Sequence, residues 1–188
     1  MKIRFILAFA SLFFLWNCDS KKEEIEIGEI TERSPDEIAS IKEYAPQFAF
    51  QSIEGKTVSL ADLKGKYLYI DVWATWCGPC RQQIPAMKEL EEKYRGQDIE
   101  FVSISVDKDA DKPKWQKMVN EKEMKGIQLF AGKGTSFHSD YEISTIPKFL
   151  IIGKDGEIID ENPPRPMDYR TGQINQQLIT IFDDLLKS

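Results

Sequence analysis

Hydrophobic residues along this chain follow two repeating patterns, one typical of buried strands and one typical of amphipathic helices. Apolar runs over 67–73 and 99–106 predict two core strands. Apolar residues at helical spacing over 77–94 and 111–123 predict a helix after each of these strands. Shorter patterns then predict three further strands and a closing helix, over 127–130, 148–152, 157–160 and 174–185, respectively.

Two turn signals complete the predicted order of elements. Gly55 lies between two short apolar segments, which predicts an N-terminal hairpin, and residues 154–156 predict a second hairpin near the end of the chain. Strand, helix, strand, helix, hairpin and helix is an order typical of an α/β protein. We therefore expect a mixed central sheet flanked by helices, with the N-terminal β-hairpin as an extension.

The composition indicates one globular domain. The 188 residues are 41% hydrophobic and 30% charged, which is enough to bury a sizeable core. The formal net charge is −6 and no block of basic residues is present, so the composition does not favour a nucleic-acid partner.

The first residues have the pattern of an export signal. Residues 1–4 are short and basic, residues 5–16 are almost entirely apolar, and Cys18 follows directly. This arrangement resembles a bacterial lipoprotein signal, which implies removal of residues 1–17 and lipidation of Cys18. Asn17 departs from the small residue that this class of signal prefers, so a plain secretory signal and an uncleaved anchor are the alternatives.

The segment after this signal is charged and weakly periodic. Residues 18–44 therefore predict a tether, with a short helix over 35–44, and residues 45–188 form the predicted globular domain. A lipid on Cys18 would hold that domain at a membrane on the periplasmic side of the cell envelope. The sequence does not decide between the inner and the outer membrane.

Two cysteines lie at the junction between the first core strand and the helix that follows it. Cys77 and Cys80 are two residues apart, and Cys77 is expected at or near the helix N-terminus. Unpaired backbone N–H groups and the helix dipole favour a thiolate there, and the thiolate is the nucleophile of disulfide exchange. A static disulfide or half of a zinc site are the alternatives, although His138 and Cys18 are the remaining His and Cys residues available as ligands.

Several further motifs occur at consistent positions before and after this cysteine pair. They are the segments 55–60 and 65–66, the sequence Trp-Cys-Gly-Pro-Cys over 76–80, Pro85, and Thr-Ile-Pro over 145–147. The segment 71–85 resembles the thioredoxin superfamily, and residues 45–186 are similar to its membrane-tethered, TlpA/ResA-like branch. The resemblance implies a thioredoxin-like fold and a thiol–disulfide oxidoreductase that uses no cofactor and no metal.

The resemblance also implies roles for the residues of the motif. Cys77, as the more exposed sulfur, would attack a substrate disulfide, and Cys80 would resolve the mixed disulfide, leaving a Cys77–Cys80 bond. Trp76, Gly78 and Pro79 would contact the substrate. Ile146 and the cis-proline Pro147 would face the cysteines, and the backbone of Ile146 would pair with an extended substrate segment.

Asp71 is the other candidate catalytic residue. It lies within the first core strand, where burial would raise the pKa of its carboxyl group and make it a proton carrier near neutral pH. The resemblance places it beneath Cys80, whereas a strand-end aspartate facing solvent is the alternative. Gln83 stands where ResA-like relatives have an acid, and Ser103 stands where thioredoxin has a lysine, so proton transfer is expected to depend on Asp71 alone.

The expected partners are protein disulfide or dithiol substrates and a membrane thiol reductase as electron donor. Other functions are possible on the same fold. A Sco-type copper metallochaperone would use a Cys-x₃-Cys pair with a histidine, whereas this chain has Cys-x₂-Cys. A peroxidase would use a single cysteine framed by Pro and Thr, and a redox-inactive binding module would not use the pair at all.

Overall fold

Seven strands form one mixed sheet in the computed structural model, which describes residues 42–187. The strands in chain order are β1 (Ala49–Ser52), β2 (Thr57–Ser59), β3 (Tyr67–Trp73), β4 (Ile99–Ser105), β5 (Ile127–Phe130), β6 (Lys148–Ile152) and β7 (Ile158–Asp160). Their order in the sheet is β2-β1-β5-β4-β3-β6-β7. The neighbours β3, β4 and β5 run parallel, while β6 is antiparallel to β3 and β1 is antiparallel to β5.

Four α-helices and two short 3₁₀ helices accompany these strands within residues 42–187. The α-helices are α1 (Gly78–Lys93), α2 (Lys112–Glu121), α3 (Phe137–Asp140) and α4 (Gln176–Leu185). The 3₁₀ helices cover Leu60–Leu63 and Asp109–Asp111. The predicted α/β fold, a mixed sheet flanked by helices with an N-terminal hairpin, is therefore confirmed.

The two faces of the sheet carry separate hydrophobic clusters. Successive side chains of a strand point to opposite faces, so Ile70 and Val72 pack in the cluster that includes residues of α2 and α3. Tyr69 packs on the other face with residues of α1 and α4. Asp71 lies on the same face as Tyr69, beneath α1, because the two residues are two positions apart in β3.

The predicted elements differ from the observed ones mainly at their ends. The helix predicted over 77–94 has Cys77 and Tyr94 as its caps rather than as helical residues. The 3₁₀ helix at Leu60–Leu63 was not predicted, and it is stabilised by a capping box between Ser59 and Asp62.

The predictions for the N-terminal segment lie almost wholly outside the described residues. This applies to the signal at 1–17, to Cys18 and to most of the tether and its short helix. Residues 42–44 are not helical, and Tyr44 instead forms an isolated β-bridge with Glu157. Among residues 42–187, no helix combines the length and the hydrophobicity that crossing a membrane requires.

The cluster beneath α1 and α4 depends on a group of contacting aromatic rings. Phe182 is buried, and its ring makes edge-on contacts with Tyr69, Tyr94 and Phe101 at centroid distances of 5.2, 5.3 and 5.9 Å. These contacts fasten the last helix to the sheet.

We expect Phe182→Ala to lower the free energy of unfolding by about 3–5 kcal/mol, because it removes a buried ring and leaves a cavity. Urea denaturation followed by circular dichroism measures this change. Ile159→Ala, at an exposed position of β7, is the control and should change the same quantity by no more than about 0.5 kcal/mol. Equal effects of the two substitutions would show that α4 is not fastened by this ring.

Candidate active site

The cysteine pair lies where β3 ends and α1 begins. Cys77 is the N-cap of α1, and its Sγ accepts a hydrogen bond from the backbone N–H of Cys80 at 3.2 Å. Pro79 lies in the first turn, where its missing N–H costs no helical hydrogen bond. The two cysteines form a disulfide, with a Cα–Cα distance of 5.3 Å. The predicted position of Cys77 at the helix N-terminus is confirmed.

The two cysteines differ little in exposure. Cys77 is 4% exposed and Cys80 is 2% exposed, so the larger exposure expected for Cys77 is only slight in this disulfide form. The neighbouring Trp76, in contrast, is 62% exposed. Trp73 is buried in the core, so Trp76 is the tryptophan at the motif that a partner protein can touch.

A buried aspartate holds the loop that precedes Cys77. Asp107 accepts hydrogen bonds from the backbone N–H and the hydroxyl of Thr75, at 2.9 and 2.8 Å. It also accepts one from the hydroxyl of Ser105 at 2.9 Å. Sequence analysis missed Asp107, although an acid two residues beyond the end of β4 lies at the same sheet edge as Thr75. Three hydrogen bonds to one buried carboxylate fix the loop that carries Trp76.

The loop before β6 lies beside this motif. Lys148, the first residue of β6, pairs with Val72 near the end of β3, and the Ile146–Pro147 peptide bond immediately before it is cis. Trp76 and Ile146 line a common groove of about 280 Å³, together with the apolar side chains of Val106 and Ile143. The groove therefore joins the motif to the cis-proline loop.

The lone histidine also lines this groove, as do Lys108 and Lys133. His138 lies in α3 and is partly buried, so the position is less peripheral than its sequence context indicates. Residues 42–187 contain no group of three or more His, Cys, Asp or Glu side chains arranged to hold a metal ion.

The Asp71 carboxyl group is buried in β3, with 5% of the residue exposed. Burial, with a smaller contribution from the nearby charge of Glu91, raises the pKa of Asp71 to about 8. In the parallel register Asp71 stands opposite Ser103, as predicted, so the adjacent strand supplies no cation at that position. The solvent-facing alternative for Asp71 is excluded by this burial.

Glu91 is a second perturbed carboxyl group, and sequence analysis missed it. Burial raises the pKa of Glu91 to about 7, while the charges of Lys125 and Lys88 oppose that shift. The Glu-Glu sequence at 91–92 is typical of a solvated helix face, so the sequence did not indicate that Glu91 is partly buried. The signal was the spacing from Ile84 and Met87, which places Glu91 on the buried face of α1.

Gln83, which stands where ResA-like relatives have an acid, has a structural role. Its Oε1 accepts a hydrogen bond from the backbone N–H of Met167 at 2.9 Å, and the side chain is buried. Gln83 thus ties α1 to the loop that leads to α4. The carboxyl groups available beneath the helix are those of Asp71 and Glu91.

Sheet order, the cysteine pair at the strand-to-helix junction and the adjacent cis-proline loop define a thioredoxin-like protein with a dithiol–disulfide centre. The model of the AhpC/TSA family matches residues 41–161, which is more than half of the chain. The chain belongs to the AhpC/TSA family.

Named relatives specify the class further. The thiol-disulfide oxidoreductase ResA of Bacillus cereus strain ATCC 10987 is 32% identical over 142 residues, which are 76% of this chain and 72% of that protein. ResA of another B. cereus strain is 32% identical over 117 residues, which are 62% of this chain and 66% of that protein. The chain thus spans slightly less than two thirds of the length of this second relative.

Solved structures agree with these relatives. A solution structure from Bacteroides vulgatus, described as a thiol-disulfide oxidoreductase, is 51% identical with a TM-score of 0.63 and covers 77% of this chain and 91% of that one. A crystal structure from Chlorobium tepidum, described as a thiol:disulfide interchange protein DsbE, is 26% identical with a TM-score of 0.65. The match covers 77% of this chain and 96% of that one. The chain belongs to the class of thiol–disulfide oxidoreductases.

The raised pKa of Asp71 gives a stability prediction. Between pH 4 and pH 8 the unfolded chain releases this proton while the folded chain retains it, so stability falls as pH rises through that window. Asp71→Asn should weaken this fall and stabilise the oxidised protein at pH 7 by about 3 kcal/mol.

Urea denaturation between pH 4 and pH 8.5 tests this prediction. Asp155→Asn, an exposed aspartate in the β6–β7 turn, is the matched control and should follow the wild-type curve. Parallel curves for wild type and Asp71→Asn would show that the folded and unfolded pKa values of Asp71 do not differ.

Proposed function

We propose that this thiol–disulfide oxidoreductase reduces protein disulfides outside the cytoplasm, through Cys77 and Cys80. The observation that carries the proposal is the cysteine pair at the N-terminus of α1, next to an exposed Trp76 and a groove that reaches Ile146. An exposed aromatic side chain and a mainly apolar groove suit contact with a protein segment.

The reaction consists of two exchanges. The Cys77 thiolate attacks one sulfur of the substrate disulfide, forming a mixed disulfide, and the other substrate sulfur leaves as a thiolate. The Cys80 thiol then loses its proton, and its sulfur attacks Cys77, which releases the second substrate thiolate and forms the Cys77–Cys80 bond. Two electrons pass from the dithiol to the substrate, and solvent protonates the released thiolates at neutral pH.

The helix N-terminus favours the first step. Cys77 lies where the helix dipole and unpaired N–H groups stabilise negative charge, so its thiolate is favoured over that of a cysteine in an unstructured chain. Cys80 is one turn further into α1 and its backbone N–H already points at the Cys77 sulfur. This difference supports Cys77 as the attacking residue and Cys80 as the resolving residue.

We assign substrate contact to the residues around Cys77 and to the cis-proline loop. Trp76, Gly78 and Pro79 present the motif, and the exposed ring of Trp76 is the apolar part of that surface. The backbone of Ile146 pairs with an extended substrate segment, as in strand addition, and the fixed ring of Pro147 keeps the loop rigid. Asp71 accepts the proton that Cys80 must lose before it attacks.

The N-terminal segment and the named relatives support an assignment of location and electron donor. Cys18 carries the lipid, residues 18–44 tether the catalytic domain, and a membrane thiol reductase returns electrons to the Cys77–Cys80 disulfide. The support is the apolar segment before Cys18 and the similarity to ResA and DsbE-named proteins.

The full-length chain should reduce insulin disulfides with dithiothreitol as electron source, measured by turbidity. Cys80→Ala should accumulate a mixed disulfide with insulin through Cys77, visible on non-reducing gels, because the resolving sulfur is gone. Cys77→Ala is the matched control and should trap no substrate. A wild-type rate equal to that of dithiothreitol alone would favour a redox-inactive binding module, and trapping by Cys77→Ala would reverse the assigned roles.

Lipidation is tested separately from activity. In bacteria fed an alkyne fatty acid, the wild-type chain should become labelled and fractionate with membranes, whereas Cys18→Ser should lose the label entirely. Cys80→Ser, which removes a different cysteine, should be labelled like wild type. An unlabelled wild-type chain would leave a plain secretory signal or an uncleaved anchor as the explanation of the apolar segment.

A further inference from the structure

Two acidic side chains from different elements line one small internal cavity. Asp71 reaches it from β3 and Glu91 reaches it from α1. The rest of the wall consists of the apolar side chains of Ile84, Met87 and Met124, together with Lys88. Two carboxyl groups around a common apolar cavity cannot both ionise without cost, because each charge is desolvated and repels the other.

The helix connects this cavity with the cysteine pair. Cys80, Ile84, Met87 and Glu91 are separated by four, three and four residues, so they lie along one face of α1. Asp71 lies on the face of β3 that packs beneath that helix. The resolving cysteine and Glu91 therefore stand at opposite ends of one helical stripe, and Asp71 lies below it.

Each of the two carboxyl groups has an oxygen that needs a partner. Asp71 Oδ1 and Glu91 Oε2 are buried and have no hydrogen-bond partner among the described residues. Buried polar atoms in folded proteins are nearly always paired. The cavity has a volume of about 10 Å³, and a space of that size holds about one water molecule. One water between the two oxygens, or one proton shared across it, would satisfy both.

Glu91 also lines a second space, on its other side. This is a surface cleft of about 190 Å³ whose wall includes Lys66, Arg95, Glu100 and Lys125. Lys66, Arg95 and Lys125 are exposed, so the cleft is open to water. Glu91 thus lines both the inner cavity and a cleft that is open to water.

A glycine keeps the Glu91 carboxyl group in this position. Gly126 has φ +64°, and a Cβ there would lie 2.6 Å from the carbonyl oxygen of Phe101 and 3.0 Å from Glu91 Oε1. Any side chain at position 126 would therefore displace Glu91 or the neighbouring strand. The positive φ and the close backbone oxygen of Phe101 require glycine here, and the Glu91 carboxyl group lies against it.

We propose that Asp71 and Glu91 are a coupled carboxyl pair that shares one proton across the cavity, with Glu91 as the member that exchanges protons with solvent. This inference rests on the proposed function for the role of Asp71. Glu91 acts through Asp71 and touches no substrate, so it is a positioning residue.

The proton balance of the resolving step follows from this pair. When Glu91 holds the shared proton, Asp71 is a carboxylate and takes the proton of the Cys80 thiol, whose sulfur then attacks Cys77. The pair now holds two protons, and Glu91 releases one of them to water in the outer cleft. The remaining proton then passes from Asp71 to Glu91 across the cavity, which restores the starting state. One proton has been taken from Cys80 and one has been released to water, so the protons balance.

The charges around the pair are mixed. On the solvent side, Lys88 on α1 and Lys125 before β5 favour ionised Glu91, whereas Glu100 on β4 opposes it. Lys88 also lines the inner cavity. The Tyr69 phenol lies on the same face of β3 as Asp71, and Ser103 and Phe149 on the adjacent strands are uncharged. Burial is the main cause that brings both pKa values close to neutrality, at about 8 for Asp71 and about 7 for Glu91, and the Glu91 charge contributes to the value for Asp71. Proton exchange between the two carboxyl groups is therefore nearly balanced.

The test is a titration of the full-length chain labelled with ¹³C at its aspartate and glutamate carboxyl carbons, followed by NMR. In wild type, the Asp71 signal should titrate in two steps between pH 5 and pH 10, because the pair has two macroscopic pKa values. Glu91→Gln keeps the shape of the side chain and should leave a single Asp71 step, shifted to lower pH. Glu89→Gln, an exposed glutamate on the same helix, is the matched control and should preserve both steps.

A kinetic readout addresses the reaction. Reduced protein mixed with 5,5′-dithiobis(2-nitrobenzoate) releases one thiolate as Cys77 reacts and a second as Cys80 attacks. The acid limb of the second phase should move to lower pH in Glu91→Gln, with the rate rising by about twofold between pH 7 and pH 8, where Glu91 is ionised in wild type. Glu89→Gln should match wild type in both phases.

The outcomes separate this inference from the proposed function. An Asp71 titration that Glu91→Gln leaves unchanged overturns the coupled pair, whether or not the protein reduces disulfides. Asp71→Asn provides the reciprocal check, because coupling requires the Glu91 signal to shift to lower pH by a similar amount. A shifted titration together with no insulin reduction by wild type would support the pair and reject the proposed function.

Discussion

Strand β3 is hydrogen-bonded along its length on both sides, and that pairing fixes the geometry of the active site. Parallel pairing with β4 places Asp71 opposite Ser103 and brings Asp107, just beyond β4, to the loop that follows β3. Antiparallel pairing with β6 places Lys148 opposite Val72, and hence the cis-proline loop beside the cysteines. A shift of one residue in either register would turn Asp71 to the other face of the sheet.

Most of this arrangement follows from local signals in the sequence. The strand at 67–73 and the helix that follows it were predicted because a mainly apolar run and helical spacing need no long-range information. The register of Asp71 with Ser103 was predicted as well, from the resemblance to thioredoxin, and the pairing of β3 with β4 confirms it. The position of Cys77 at the helix N-terminus followed from the same two patterns.

The parts that the sequence did not predict depend on contacts between distant elements. Asp107 is an ordinary acid after a strand until the fold brings Thr75 to it, and Gln83 has no visible role until the backbone of Met167 reaches it. Glu91 was hidden because a Glu-Glu pair on a helix is usually solvated, and only the approach of β3 and Gly126 shows that one of the two is enclosed. For Glu91, the residue type indicated a solvated position, whereas the helical spacing from Ile84 and Met87 indicated the buried face of α1.

Buried Asp71 has a consequence for protein engineering. A design method that scores only packing and polar satisfaction would replace this carboxyl group with a hydrophobic side chain or an amide, and the result would fold more stably. The replacement would remove the group to which the proposed proton chemistry is assigned, although every cysteine would remain in place. Selection for thermal tolerance and selection for turnover would therefore diverge at this single position, and an optimised scaffold that keeps the Cys-x₂-Cys motif is no guarantee of a working catalyst.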